Sequence, residues 1–183
     1  VLNLVLIASV WGQGWELRPQ PGFGWFLVAI ILTSPLQAAA EEFLFRGYLM
    51  QALAPVGGAW FGVVASALIF AAFHGAQNLP LFLDRFGFGL LAGVLVVRTG
   101  GLEAAIAAHV VNNVCAFGYA GLTSTIAEVK ATQVIGWGEA AWDLVGFAAF
   151  AGCAWWLARR LGVQTRTGQK GQTLPGLATG SRF

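Results

Sequence analysis

Along the chain the polar residues are few and bunched, and between them lie solid apolar runs rather than alternating ones. A first run, Val1 to Trp11, is followed by Gly12 to Gly22, where Gly, Pro, Glu16 and Arg18 predict a loop. From Phe23 the chain is apolar through Ala40 and helix-compatible to Leu53, interrupted only by Pro35. A proline inside a helix removes one backbone hydrogen bond and frees the carbonyl four residues before it, so one kinked helix is expected here rather than two. Four further runs, Ala59 to His74, Phe86 to Val97, Leu102 to Gly121 and Ala140 to Ala158, are separated by Gly, Pro, Asn or charged residues. Several approach the roughly 20 residues that cross a bilayer core, and flanking turns can lengthen the shorter ones. A membrane β-barrel would need strands of about ten residues alternating polar and apolar, which solid runs do not provide. The expected fold is all-α, a polytopic transmembrane helical bundle over residues 1–160, with a tail at 161–183 whose Gly, Thr, Gln and scattered cations predict disorder.

Composition supports the membrane reading. Of the 183 residues, 57% are hydrophobic and 10% charged, against about 25% charged in a typical soluble domain. The start lacks a Met, a basic n-region and a cleavage site, so it reads as a truncated, clipped transmembrane helix or as an alternative start rather than as a signal peptide. Net charge is only +2, but Arg159, Arg160, Arg166, Lys170 and Arg182 all lie at the C-terminal end with no acid among them. With Arg98 on the tail side and Arg18, Arg85 and Lys130 on the other, six cations face three, which places the tail in the cytoplasm, of a bacterial plasma membrane by expectation. No basic face exists elsewhere, so nucleic acid is not an expected partner. Cys115 and Cys153 both sit in apolar runs and suggest neither a disulfide framework nor a zinc knuckle.

An ionisable side chain in lipid is costly, so the few such residues in the runs are functional candidates. Glu42 and Arg46, four apart, share one helix face and can pair. Glu41 is turned by roughly 100° from Glu42, which leaves one carboxylate held by an arginine and one free. The only two histidines, His74 and His109, also lie in apolar runs, and Asn113 follows His109 by four. With alternating spans, Glu41, His74 and His109 lie about 18, 22 and 12 Å from the cytoplasmic ends of their helices, so the three can meet in one buried layer. A glutamate in a low-dielectric site suits the task of drawing a proton from water. His109 and Asn113 can aim two donors at one developing oxyanion. No serine, cysteine or threonine has a comparable set of partners.

These residues carry a resemblance. E-E-F-L-F-R-G-Y, then F-A-A-F-H, then R-T-G-G-L-E-A-A-I-A-A-H-V-V-N-N resemble, in order and spacing over about residues 35 to 117, the motifs of the CPBP family, the CAAX-protease and bacteriocin-processing intramembrane peptidases. The resemblance implies an all-helical membrane fold and a glutamate-dependent endopeptidase open to the cytoplasm, acting on a peptide or protein segment such as a CAAX-like or bacteriocin-type substrate. It implies Glu41 as the base that activates water, assisted by His74. Glu42 and Arg46 are then the ordering pair, and His109 with Asn113 polarises the scissile carbonyl. Many relatives carry additional helices upstream.

Other readings stay open. A non-catalytic membrane scaffold or immunity protein could use the same buried polar cluster. A proton-coupled transporter should show repeated acids in symmetry-related broken helices, which this short chain does not. No cofactor is expected, although Glu41, His74 and His109 are a fallback zinc set; the spacing is not H-E-x-x-H, and Glu42 is claimed by Arg46. Gly87-Phe88-Gly89-Leu90-Leu91-Ala92 fits a dinucleotide pattern but lacks a preceding strand and a following acid, so no nucleotide is expected. Gly89 and Gly93 form instead a GxxxG for close helix approach. Asp143 and Glu103 are expected near helix N-termini, and Trp137, Trp142, Trp155 and Trp156 as interfacial anchors among the membrane lipids.

Overall fold

A computed structural model describes residues 19, 21–123 and 133–163. All elements among them are helical: α1 (Phe23–Glu42), a π-helical stretch (Phe43–Leu49), α2 (Met50–Gly57), α3 (Ala59–Ala72), α4 (Leu79–Thr99), α5 (Glu103–Thr123) and α6 (Trp137–Arg160). The rod Phe23–Gly57, α4 and α6 are each long and apolar enough to cross a membrane. Large apolar side chains such as Trp25, Leu32 and Leu36 on α1 and Trp60 and Leu68 on α3 are exposed, as lipid-facing residues of an integral membrane protein should be. The run Val1–Trp11 and all of the tail beyond Val163 lie outside the described residues.

The helix directions follow from residue pairs. Gly87 packs on Leu144, Phe88 on Phe147 and Arg98 on Trp155, so α4 and α6 run parallel. Gly121 packs on Phe23 and Phe26 and Gly118 on Leu27, while His109 meets Glu42, so α1 and α5 run antiparallel. Asn78 ties the ends together: its amide nitrogen donates to the Ile135 carbonyl at 2.8 Å and its backbone N–H to Gln133 at 2.7 Å. The bundle therefore has one end carrying Phe73–Asn78 and the start of α6, and another carrying Thr99–Glu103 and the end of α6.

In lipid, burial of apolar surface from water does not drive helices together, so close packing of small residues has to. The expected GxxxG acts in this way. A Cβ on Gly89 would lie 3.0 Å from the Ala67 methyl, and one on Gly93 would lie 2.9 Å from Val63. Gly62 lies so close to α2 that a Cβ there would strike the Met50 carbonyl. Gly58, with φ of 90°, takes the left-handed backbone that reverses the chain between α2 and α3.

Several boundaries differ from the expectation. As expected, α1 is one helix through Pro35, but eight residues later it gives way to the π-helical stretch, which the sequence did not announce. Helix α4 begins at Leu79 rather than near Phe86, because the Asn78 side chain accepts the Leu81 N–H at 3.2 Å and Pro80 suits a first turn. Glu103 does open α5, but Asp143 lies a turn and a half inside α6. The acid in the first turn there is Glu139, whose Oε2 accepts the Gly136 N–H at 2.7 Å. Helix α3, with 14 residues, is about 21 Å long and falls short of the roughly 30 Å hydrocarbon core.

Candidate active site

The site forms where the rod bearing the two glutamates crosses α3 and α5. Arg46 lies in the π-helical stretch, whose wider turns recur at functional positions because they shift side chains out of α-helical register. Glu42 and Arg46 are buried, 0% and 1% exposed, and Arg46 Nη1 donates to Glu42 Oε1 at 2.8 Å. The same carboxylate oxygen accepts from His109 Nδ1, also at 2.8 Å, across 67 residues of sequence. Two charge-assisted bonds to one oxygen offset much of the cost of burying that charge.

With its Nδ1 proton given to Glu42, the His109 ring turns Nε2 toward Glu41, 3.7 Å from Oε2. The histidine thus lies between the two carboxylates and unites faces that a helix alone would separate. Glu41 is not free, as the helical wheel suggests: Gln37 Nε2 donates to its Oε1 at 3.1 Å. Its side chain is 27% exposed, in contrast to sealed Glu42. Near it, just past the end of α3, His74 is exposed and donates from Nδ1 to the Phe70 carbonyl at 2.8 Å, leaving Nε2 as the outward nitrogen. His74 interacts electrostatically with both Glu41 and His109, without a direct bond to either.

Aromatic rings hold the charged groups in place. The Arg46 guanidinium lies 4.6 Å from the Phe70 ring centroid and 5.7 Å from that of Phe88. Phe70 also meets His74 at 4.7 Å and His109 at 6.0 Å, in edge-to-face geometry, while Phe88 meets His109 at 5.0 Å. Arg46 is thereby stabilised by ring faces where water cannot solvate it. Neither phenylalanine is an expected site residue, although Phe70 stands four before His74 and so shares its helix face. Gln37, four before Glu41, was equally open to that reasoning.

Asn113 lies half-buried one turn beyond His109, and the bond described for it is a long one from Asn112 Nδ2, at 3.5 Å. It is on the same side of α5 as His109 but does not contact Glu41 or His74 through any described bond. Among the described residues, no three His, Cys, Asp or Glu side chains, the set Glu41, His74 and His109 included, are grouped so as to hold a metal ion. Chemically, the arrangement offers a partly exposed carboxylate, an outward imidazole nitrogen within its electrostatic reach, and a buried imidazole fixed by a second carboxylate that an arginine holds.

The chain is 29% identical over 153 residues to the uncharacterized protein YyaK of Bacillus subtilis (strain 168), covering 75% of this chain and 50% of that protein. It is 33% identical over 86 residues to an uncharacterized 24.3 kDa protein of Escherichia coli, covering 45% of this chain and 38% of that one. The chain thus spans half or less of the length of these curated relatives. No solved structure matches it significantly. A family model for the type II CAAX prenyl endopeptidase Rce1-like group matches residues 23–115, the segment that contains both glutamates, Arg46 and both histidines. With just over half of its length so matched, the chain belongs to the Rce1-like type II CAAX prenyl endopeptidase family.

Proposed function

We propose that this chain hydrolyses peptide bonds within the membrane with Glu41 as the base, on a CAAX-like or bacteriocin-type peptide or protein segment. The observation that carries the reading is the unequal setting of the two glutamates around His109: Glu42 is sealed and doubly bonded, while Glu41 is partly open beside the outward face of His74. Glu41 takes a proton from water as the water oxygen attacks the scissile carbonyl carbon. His74 Nε2 steers that water. The carbonyl oxygen, now negative, receives hydrogen bonds from Asn113 Nδ2 and from His109 Nε2. For His109 to donate there its ring carries both protons, and since Glu42 already pairs with Arg46, the oxyanion's own negative charge balances it. When the carbon–nitrogen bond breaks, the proton on Glu41 passes to the leaving amine.

The test is proteolysis of a peptide library by the purified chain beside its Glu41→Gln variant. The variant should be folded and inactive, and chelators should leave the wild type unaffected. Turnover by the variant at the wild-type rate would sink the assignment of the base, and chelator-sensitive cleavage restored by zinc would replace it with a metal mechanism.

Orientation and cleavage side are linked by the geometry. His74 sits toward one end of the bundle, whereas Arg98, Arg159 and Arg160 mark the other. If substrate passes His74, a cytoplasmic tail implies a mouth toward the opposite face, and cytoplasmic cleavage implies an exported tail. The cation count favours a cytoplasmic tail, so a reporter fused after Phe183 should be active only if it works in the cytoplasm. An active periplasmic-type reporter would invert the orientation and return the mouth to the cytoplasmic side.

A further inference from the structure

The end of the bundle away from His74 carries chemistry that peptide hydrolysis does not use. Because α4 and α6 run parallel, their last turns finish side by side, and Arg98 and Arg159 both stack on Trp155, each guanidinium carbon 5.4 Å from the ring centroid. Arg160 lies 5.3 Å over Trp156. A helix C-terminus favours a cation, which accounts for an arginine at the end of each helix. It does not by itself bring the arginines of two helices to one indole, and two guanidinium groups gathered there offer paired donors to an anion.

Beside this stack is a cavity of about 370 Å³, lined by Thr99, Gly100, Glu103, Ala154, Ala158 and their neighbours. Its one charged lining residue is Glu103, whose carboxylate folds back over Gly101, and the arginines stand beside the cleft rather than on its wall. Outside the cavity, Val97, Leu157 and Leu161 are exposed apolar residues of the kind that face acyl chains. Positive charge, an aromatic pair, a cleft with Glu103 and Thr99 on its wall and an apolar flank thus coincide at one end of the bundle.

We infer that this cluster binds the headgroup of an anionic phospholipid of the phosphatidylglycerol class. The phosphate sits between Arg98 and Arg159, whose planar donor forks match its oxygens. The glycerol hydroxyls enter the cleft, where Glu103 and the Thr99–Gly101 backbone can accept from them, and the acyl chains lie along Val97 and Leu157. A choline headgroup carries the same phosphate but has no net negative charge and no hydroxyl donors, so it fits less well.

The experiment uses the whole chain in phosphatidylcholine nanodiscs, with phosphatidylglycerol titrated in. Melting temperature and retained lipid, by native mass spectrometry, are the readouts. Phosphatidylglycerol should bind at least about tenfold more tightly than phosphatidylcholine and raise the melting temperature. The double variant Arg98→Gln, Arg159→Gln should lose that preference while melting like wild type in phosphatidylcholine alone. Should the double variant fail to fold, Arg98→Gln alone tests the same loss. Equal binding of the two lipids, or an unaltered preference in the variant, would overturn the inference. Inorganic phosphate that displaces the lipid and itself raises the melting temperature would overturn it too, assigning the site to a soluble anion. The readout is lipid binding, so the answer does not depend on whether Glu41 catalyses anything.

Discussion

Two adjacent glutamates occupy different worlds. Glu42 lies inside a buried network with Arg46 and His109, under the rings of Phe70 and Phe88, where the carboxylate meets a counter-charge. Glu41, one residue earlier, is held by a single exposed bond from Gln37 and faces the rim where His74 ends α3. The difference is between a carboxylate sealed by its partners and one open at the rim, and on the proposed function the rim is where a water and a peptide would be reached. Burial holds the first rigid, and partial exposure leaves the second available.

The sharpest way to break this contrast is to remove each carboxylate's charge in turn. Glu41→Gln keeps shape and loses the base, so activity should vanish while the melting temperature stays near wild type. Glu42→Gln should do something else. It strands Arg46 in a site 1% exposed, at a cost of about 3 to 5 kcal/mol where desolvation is complete, which denaturant or thermal unfolding in mild detergent would register. A Glu42→Gln protein that is inactive but as stable as wild type would exchange the two roles.

A smaller effect is expected at the edge of the two regions. On the proposed mechanism Asn113→Ala should lower kcat by roughly 10² to 10³ with little change in KM, because a bond to the oxyanion would form only in the transition state. Unchanged kcat would remove Asn113 from the chemistry and leave His109 as the remaining donor.

Much of this layout was legible in the sequence. The apolar runs gave the helices, and the i, i+4 spacing gave the Glu42–Arg46 pair, because both are local consequences of helical geometry. Boundaries were less legible: Asp84 and Arg85 looked like a break, yet a helix already capped by Asn78 carries them in its second turn. The π-helical stretch left no mark, since seven residues contain too few turns to reveal a changed period. Nor could spacing reveal that His109 bonds Glu42, because that contact depends on how α1 and α5 pack, and the pairing of antiparallel helices is a property of the whole bundle. The ordered motifs supplied the candidates, but only the packing distinguished the sealed carboxylate from the open one.

The short α3 has a consequence for the surrounding lipid. A lipid-facing helix about 21 Å long cannot match a hydrocarbon layer of about 30 Å, so beside it the bilayer must thin, or water and headgroups must descend to the loop at Phe73–Asn78. Either response lowers the polar boundary toward His74 and Glu41, and on the proposed function it would shorten the path by which a peptide bond leaves water for the site. Catalysis should then depend on the thickness of the host membrane. In vesicles of graded acyl-chain length, turnover should fall as the chains lengthen, and a rate indifferent to thickness would mean that protein rather than lipid covers that loop.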